Sequence, residues 1–166
     1  HDEVVHLKCS MINKMPGLGE DKFSNLKAGY TFMLGHPGKK LLFMGQDFGQ
    51  WHEWDEKVSL DWYLAEEESH KKLQEYVRDL LHIYRKYPCL YHLDNDWNGF
   101  QWINANDGDR SIFSFIRKDE TGKKNLLFIV NFTPVDRPDY RVGVPKRCTR
   151  NGRETRKRGI HWLHEN

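Results

Sequence analysis

The chain has 166 residues, of which 38% are hydrophobic and 30% are charged, and its formal net charge is +2. This composition is typical of a globular protein, and the length is enough for one modest domain or for pieces of two. The longest apolar runs, such as residues 126–130, are far shorter than the roughly 20 residues that a membrane-spanning helix needs. The sequence therefore excludes a membrane-spanning helix within these residues.

The first three residues and the cysteines indicate the cellular context. The start, HDE, lacks an initiator methionine and the basic and apolar segments of a signal peptide, so we expect the chain to begin inside a longer polypeptide. Cys9, Cys89 and Cys148 form no C-x-x-C pair, which argues against a disulfide framework or a zinc site. This favours a reducing compartment, and we expect a cytoplasmic protein.

The first part of the chain alternates helical and strand-like patterns. Residues 21–35 carry apolar side chains at helical spacing, and the turn sequence GHPG ends them. The apolar run 41–44 predicts a strand buried on both faces, as in a parallel sheet. An aromatic-rich loop follows at 46–62. Residues 66–86 again have apolar side chains three and four apart, which predicts a second helix.

After residue 94 the hydrophobic period changes from 3.6 to 2, which indicates β structure. Short runs separated by turn sequences predict antiparallel strands at residues 100–103, 111–117, 126–132 and 140–144. The order helix, buried strand, helix and then several strands predicts an α/β region, residues 1–95, joined to an all-β region, residues 96–145.

The remaining segment, residues 146–166, is basic, with seven Lys or Arg against two Asp or Glu. It has no sustained helical or strand period, so we predict a disordered tail. A basic tail can bind nucleic acid. However, the chain has no recognisable nucleic-acid-binding motif, and we expect neither nucleic acid nor a membrane as a partner.

Three polar residues at the start of the chain could carry chemistry. His1, Asp2 and Glu3 bring together an imidazole and two carboxylates, which could bind sugar hydroxyls, ligate a metal or act in acid–base catalysis. The metalloprotease motif H-E-x-x-H does not fit, because Asp2 separates His1 from Glu3 and His6 lies five positions after His1. From these residues alone, an exposed polar terminus remains the alternative.

The loop after the predicted strand holds a second group of candidates, in the sequence GQDFGQWHEW at 45–54. Loops at the carboxyl ends of parallel strands form the active sites of barrel enzymes. Two kinds of side chain here suit a neutral polar ligand: indoles that stack on pyranose rings and polar groups that bind hydroxyls. The indoles are those of Trp51, Trp54 and Trp62, and the polar groups are those of Gln46, Gln50 and Glu53. The alternative is that the tryptophans only pack the loop against the protein.

Together and in this order, these motifs resemble the C-terminal part of the 1,4-α-glucan branching enzymes, a family of the α-amylase superfamily. HDEVVH at 1–6 resembles the late barrel motif S-H-D-E with its continuation V-V-H. HPGKKLLFMGQ at 36–46 and FGQW at 48–51 resemble the final barrel strand and its loop. NFTPV at 131–135 and YRVGVP at 140–145 are similar to the C-terminal β domain.

The resemblance extends over about residues 1–146 and implies a fold of two parts. Residues 1–95 would be the last strand and helix units of a (β/α)8 TIM barrel, and residues 96–145 a truncated antiparallel β-sandwich domain. It also implies a retaining transfer, in which a glycosyl-enzyme made from α-1,4-glucan is resolved by the 6-hydroxyl of an acceptor glucan, as in glycogen biosynthesis. That scheme needs no metal or organic cofactor.

By the same resemblance, Asp2 would stabilise the oxocarbenium-like transition state, and His1 would hydrogen-bond the same sugar. Further contacts with the glucan would come from Glu3, Gln46, Trp51 and Trp54. The family's nucleophile and general acid lie on earlier barrel strands that this sequence does not contain. We therefore expect the chain alone to be inactive and to need the N-terminal part of the same enzyme as its partner.

The sequence departs from the family pattern at three places. Asp47 stands where glutamate is usual, Leu7 stands where glycine is common, and after residue 146 the resemblance stops. We interpret residues 147–166 as a frameshifted reading or a different terminus. Two other functions remain open: a non-catalytic carbohydrate-binding module, and part of an α-amylase-type hydrolase or debranching enzyme, which would release short glucans.

Overall fold

The computed structural model describes residues 2–144 and 160–164, with the backbone alone for Asp2 and for residues 160–164. Within these residues, helices come first and strands second. The α-helices are α1 (Met11–Lys14), α2 (Glu20–Gly35) and α3 (Glu68–Lys86). The strands are β1 (Phe100–Asp107), β2 (Ile112–Arg117), β3 (Leu126–Asn131) and β4 (Ile160–His164). Short 3-10 helices lie at Asp2–Val4, Trp62–Glu66, Pro88–Leu90, Trp97–Gly99 and Gly108–Arg110.

The two helices predicted from apolar spacing are confirmed as α2 and α3. Acidic residues occupy the first turn of each helix, where they complement the helix dipole, and Arg85 and Lys86 do the same in the last turn of α3. A proline follows soon after each helix ends, Pro37 after α2 and Pro88 after α3. Helix α3 begins later than predicted, because Trp62–Glu66 forms a separate 3-10 turn before it.

Helices α2 and α3 pack against each other and form the first hydrophobic core. Each helix contributes one apolar stripe, so the buried residues recur every three or four positions. They are Phe23, Leu26, Tyr30 and Leu34 from α2 and Leu73, Val77 and Leu80 from α3, joined by Ile12 from α1. The indole of Trp51 packs on the same core from the loop between the helices.

The strands form one antiparallel sheet in the order β1-β2-β3-β4. The predictions at 100–103, 111–117 and 126–132 are confirmed, with β1 longer than predicted and its pairing with β2 irregular around Asn104. Phe115 and Phe128 of this sheet lie in a second core together with Cys89 and Leu90. Burial raises the pKa of the Cys89 thiol to about 12.

The prediction of a buried strand at 41–44 is wrong. In the described part of the chain this segment has no strand partner, and Leu41 and Met44 are 53% and 54% exposed. A buried parallel strand needs neighbours on both sides to satisfy its backbone groups. The described residues supply no such neighbours, so a TIM-barrel part is not confirmed.

The two predictions for the last part of the chain also need correction. Residues 140–144 form no strand. Both edges of β3 are already paired, with β2 and with β4, and the Tyr140 hydroxyl donates to Asp107 Oδ2 at 2.8 Å. The tail was expected to be disordered, but Ile160–His164 pairs with β3 as strand β4. The other tail residues lie outside the described residues.

A buried guanidinium connects the helices to the sheet. Arg117 at the end of β2 is fully buried, and its Nη2 lies 2.5 Å from Asp94 Oδ1 in the connection that precedes the sheet. Its Nη1 donates to the carbonyl of Gly35 at the end of α2 at 2.9 Å, and its Nε donates to the carbonyl of Gly99 at 3.3 Å. One side chain therefore joins α2, the connection and β2.

We expect Arg117→Met to lower the free energy of unfolding by about 3–5 kcal/mol, because it leaves the buried Asp94 carboxylate without its counter-charge. Urea denaturation of the chain measures the effect. Arg110→Met is the matched control: Arg110 pairs with Asp107 at 3.4 Å but its side chain is 56% exposed, and such pairs contribute less than about 1 kcal/mol. Equal losses in the two variants would contradict the proposed role of Arg117.

Two glycines of α2 give a second test of how the helix meets the sheet. A Cβ at Gly35 would lie 2.5 Å from the Phe128 ring, whereas a Cβ at Gly29 would meet no atom within 4 Å. We expect Gly35→Ala to cost about 1–3 kcal/mol through overpacking. We expect Gly29→Ala to gain up to about 1 kcal/mol through helix propensity. Thermal unfolding should separate the two variants in opposite directions from the parent chain.

Candidate functional site

The loop that follows residue 44 is folded tightly against α2 and α3. Gly45 and Gly49 adopt positive φ angles of 75° and 72°, where glycine is favoured. A Cβ at Gly49 would also lie 2.9 Å from a methyl group of Leu73. The hydroxyl of Tyr30 donates to the carbonyl of Gln46 at 2.8 Å. Burial, followed by the negative charge of Asp47, raises the pKa of Tyr30, so this donor keeps its proton.

Gln46 is buried inside this loop. Its Oε1 accepts a hydrogen bond from the Phe43 backbone at 2.8 Å, and the residue is 8% exposed. Its Nε2 is buried and has no hydrogen-bond partner among the described residues. An unpaired buried amide donor is costly. Among the described residues, Gln46 therefore carries a buried donor without a partner.

The tryptophans of the loop have different surroundings. Trp51 is half-buried, with its ring edge-on to Phe23 at 5.8 Å and to His70 at 5.5 Å. Trp54 contacts the ring of Phe43 at 5.1 Å. Trp62 is 59% exposed. The packing interpretation therefore describes Trp51 well, Trp54 is half-buried in the same way, and Trp62 has the most open surface of the three.

The N-terminal segment is tied to this loop by the side chain of Glu53. Its Oε1 accepts from the Leu7 backbone at 2.6 Å, and its Oε2 accepts from the Cys9 backbone at 3.2 Å. Ser10 adds a bond from its hydroxyl to the carbonyl of Trp51 at 2.9 Å. Residues 7–10 and the loop at 45–54, far apart in sequence, are thus held side by side.

The acidic residues of the first motif lie at the start of this tied segment. Asp2 begins the 3-10 helix Asp2–Val4, and its side chain lies outside the described residues, as does His1. Glu3 is exposed and pairs with Lys8 at 3.1 Å. Val4 is buried and lines a small cleft together with Gln46, His52 and Trp54. The structure therefore brings the Asp2–Val4 turn to the loop that carries Gln46 and Trp54.

A hydrogen-bonded pair in the same loop carries no signal in the sequence. His52 Nδ1 lies 2.6 Å from Asp61 Oδ2. Gln50 supports both residues, because its Nε2 donates to the His52 carbonyl at 3.1 Å and its Oε1 accepts from the Asp61 backbone at 2.9 Å. The eight residues between His52 and Asp61 follow no regular period, so the pairing of His52 with Asp61 could not be predicted from spacing.

Asp47, the departure from the family pattern, is engaged with α3: its Oδ2 accepts from Gln74 Nε2 at 3.0 Å. Among the residues that the structure describes, no group of three or more His, Cys, Asp or Glu side chains is placed to hold a metal ion. No helix in the described part of the chain is long and apolar enough to cross a membrane.

The sheet that follows this loop is similar to a known class of domain. Residues 102–151 match the family model of the alpha amylase C-terminal all-beta domain. The match covers most of β1 and all of β2 and β3, and it runs slightly beyond residue 146, where the motif resemblance ends.

Relatives with a specific activity in their names match most of the chain. The chain is 61% identical over 145 residues to the 1,4-alpha-glucan branching enzyme GlgB of Butyrivibrio fibrisolvens, which is 87% of the chain and 23% of that protein. It is 53% identical over 146 residues to the enzyme of the same name from Aquifex aeolicus (strain VF5), which is 88% of the chain and 23% of that protein. The match to the Nitrobacter hamburgensis enzyme is 52% over 145 residues, 87% of the chain and 20% of that protein.

The chain thus spans less than a quarter of the length of these curated relatives. The resemblance that the sequence motifs indicated is confirmed: this chain is similar to part of a 1,4-alpha-glucan branching enzyme, including the α-amylase-type C-terminal β domain.

The Glu53 tie can be tested by hydrogen exchange. We expect Glu53→Gln to speed exchange of the Leu7 and Cys9 amides by about tenfold, because an amide group can accept only one of the two bonds and a charge-assisted bond is lost. Mass spectrometry of short peptides covering residues 5–10 reports the change. Glu56→Gln, at an exposed position in the same loop, is the control and should leave these amides unchanged. Equal exchange in all three proteins would contradict the tie.

Proposed function

We propose that this chain forms the C-terminal part of the catalytic unit of a 1,4-α-glucan branching enzyme. The enzyme cleaves an α-1,4 bond and re-attaches the segment as an α-1,6 branch, as in glycogen biosynthesis. The observation that carries this proposal is the 61% identity over 145 residues to a protein with that name. The substrate is an α-1,4-glucan or glycogen, and the scheme uses no cofactor.

The proposed roles of the residues follow from the retaining mechanism. A carboxylate at Asp2 stabilises the positive charge that develops on the donor sugar as its bond breaks, and His1 hydrogen-bonds the same sugar. The side chains of Glu3, Gln46, Trp51 and Trp54 contact the glucan further along. The bonds from Glu53 to the 7–9 backbone support this proposal, because they hold the Asp2–Val4 turn beside the loop of Gln46 and Trp54.

The nucleophile and the general acid come from another part of the same enzyme, N-terminal to residue 1. In this proposal residues 1–95 complete a (β/α)8 barrel with strands from that part, and α2 and α3 are two of its outer helices. Residues 96–145 belong to a β-sandwich of the α-amylase type. We also propose that the reaction takes place in the cytoplasm, consistent with the free thiols of Cys9 and Cys89.

The direct test incubates amylose with the longest natural polypeptide that contains this chain. New α-1,6 linkages, measured by proton NMR, should form without a rise in reducing ends. The 166-residue chain alone should form none, because it lacks the nucleophile and the acid. A rise in reducing ends without new branches would indicate a hydrolase, and glycogen binding without either product would indicate a binding module.

Asp2→Asn in the longer polypeptide should lower the branching rate about 100-fold or more, because it removes charge stabilisation that acts in the transition state. KM for amylose should change much less. Asp109→Asn, at an exposed turn between β1 and β2, is the control and should leave the rate unchanged. An Asp2→Asn variant with the parent rate would contradict the role proposed for Asp2.

A further inference from the structure

His52 is held in one orientation by its neighbours, although most of its ring is exposed. Its side chain is 78% exposed, while that of its partner Asp61 is 21% exposed. The 2.6 Å distance between His52 Nδ1 and Asp61 Oδ2 is that of a charge-assisted hydrogen bond. The buried Gln50 amide holds the backbone of both residues: its Nε2 donates to the His52 carbonyl at 3.1 Å, and its Oε1 accepts from the Asp61 N–H at 2.9 Å.

This bond decides which ring nitrogen is left for a ligand. A carboxylate can only accept, so Nδ1 carries the proton and donates it to Asp61. In the neutral ring, Nε2 is then an acceptor directed away from Asp61. A pre-oriented acceptor on an exposed ring suits a ligand rich in hydroxyl groups, because less entropy is lost when the ligand binds.

The surroundings of His52 offer complementary groups. His52 lines the same small cleft as Gln46 and Trp54. Gln46 is more than nine-tenths buried and its Nε2 donor lacks a partner among the described residues. Because Gln46 Nε2 is buried, the groups that a ligand can reach here are the imidazole acceptor of His52 and the indole of Trp54. That set of groups matches the hydroxyls and apolar face of a pyranose ring.

We propose that His52 binds a hydroxyl group of the α-glucan through Nε2, and that Asp61 is its positioning residue. This inference rests on the proposed function, and it adds a substrate-binding residue that the motif resemblance does not assign. The site takes a neutral α-1,4-linked glucan.

Two substitutions separate ligand binding from loop packing. In His52→Asn the amide nitrogen replaces Nδ1, so the bond to Asp61 can persist, but the Nε2 acceptor is lost. In His52→Gln an amide group reaches the position of Nε2. Both are made in the longest natural polypeptide that contains this chain. The dissociation constant for glycogen is measured by retardation in native gels, and KM and kcat for amylose are measured separately.

We expect His52→Asn to weaken glycogen binding about threefold to tenfold, the size expected for one hydrogen bond. KM should rise by a similar factor with kcat little changed, and His52→Gln should recover part of the affinity. His82→Asn, at an exposed position on α3, is the control and should bind as the parent does.

Other outcomes overturn the inference. Parent-like affinity in His52→Asn would show that Nε2 makes no contact with the glucan. Equal weakening in both variants, together with a lower thermal transition, would assign His52 to loop packing only. A parent polypeptide that neither binds glycogen nor branches amylose would instead overturn the proposed function itself, which distinguishes the two failures.

Discussion

The arrangement of this chain depends on a charge that is removed from water. The guanidinium of Arg117 is fully buried, and the Asp94 side chain that neutralises it is 4% exposed. Such a pair gains little net free energy over an apolar pair, because both ions lose their hydration. The pair instead fixes the arrangement of the groups around it. The N–H groups of the Arg117 guanidinium are all satisfied only when the Gly35 carbonyl, the Gly99 carbonyl and the Asp94 carboxylate surround it. The end of α2 and the start of the sheet are fixed relative to each other by that requirement.

The aromatic layer between α2 and the sheet follows from this alignment. Phe115 and Phe128 on neighbouring strands stack with a centroid distance of 5.0 Å and an angle of 8°. Phe32 from α2 contacts Phe113, Phe115 and Phe132 with its ring. The Phe128 ring can lie against α2 only because residue 35 has no side chain. The ion pair thus sets the position, and the rings supply the buried apolar area.

The sequence predicted the two long helices and the strands that pair with their neighbours along the chain. Residues 21–35 and 66–86 have a clear helical period, so α2 and α3 were found. Strands β1, β2 and β3 were found as short apolar runs separated by turn sequences, although β3, with the sequence LLFIVN, does not alternate. The segment 41–44 has the composition of a buried strand, but a strand exists only through its partners, and composition does not reveal whether partners are present. Strand β4 was missed because its segment has no period of its own and because its partner, β3, is far away in the sequence.

The candidate site was predictable only in outline. The loop at 45–54 and the HDE segment were identified by residue type, and the ties between them depend on long-range bonds from Glu53 and Ser10 to backbone groups. Residue type does not tell whether a polar side chain faces a ligand or supports the loop. Gln50 and Glu53, considered as hydroxyl-binding residues, use both of their polar atoms inside the protein.

Because Gln50 and Glu53 are bonded within the protein, fewer polar groups of the loop remain to bind a ligand. A loop can present a few groups with a fixed orientation only if other polar side chains satisfy its own backbone. In this loop Gln50 and Glu53 bond to backbone groups, and Asp61 orients the His52 ring. In the proposed site, few groups are therefore left for a sugar: the imidazole edge of His52 and the indole of Trp54, beside the turn that begins at Asp2. In the proposed site, specificity for a neutral glucan arises from the positions of these few groups, while the carboxylates of Glu53 and Asp61 accept hydrogen bonds within the loop.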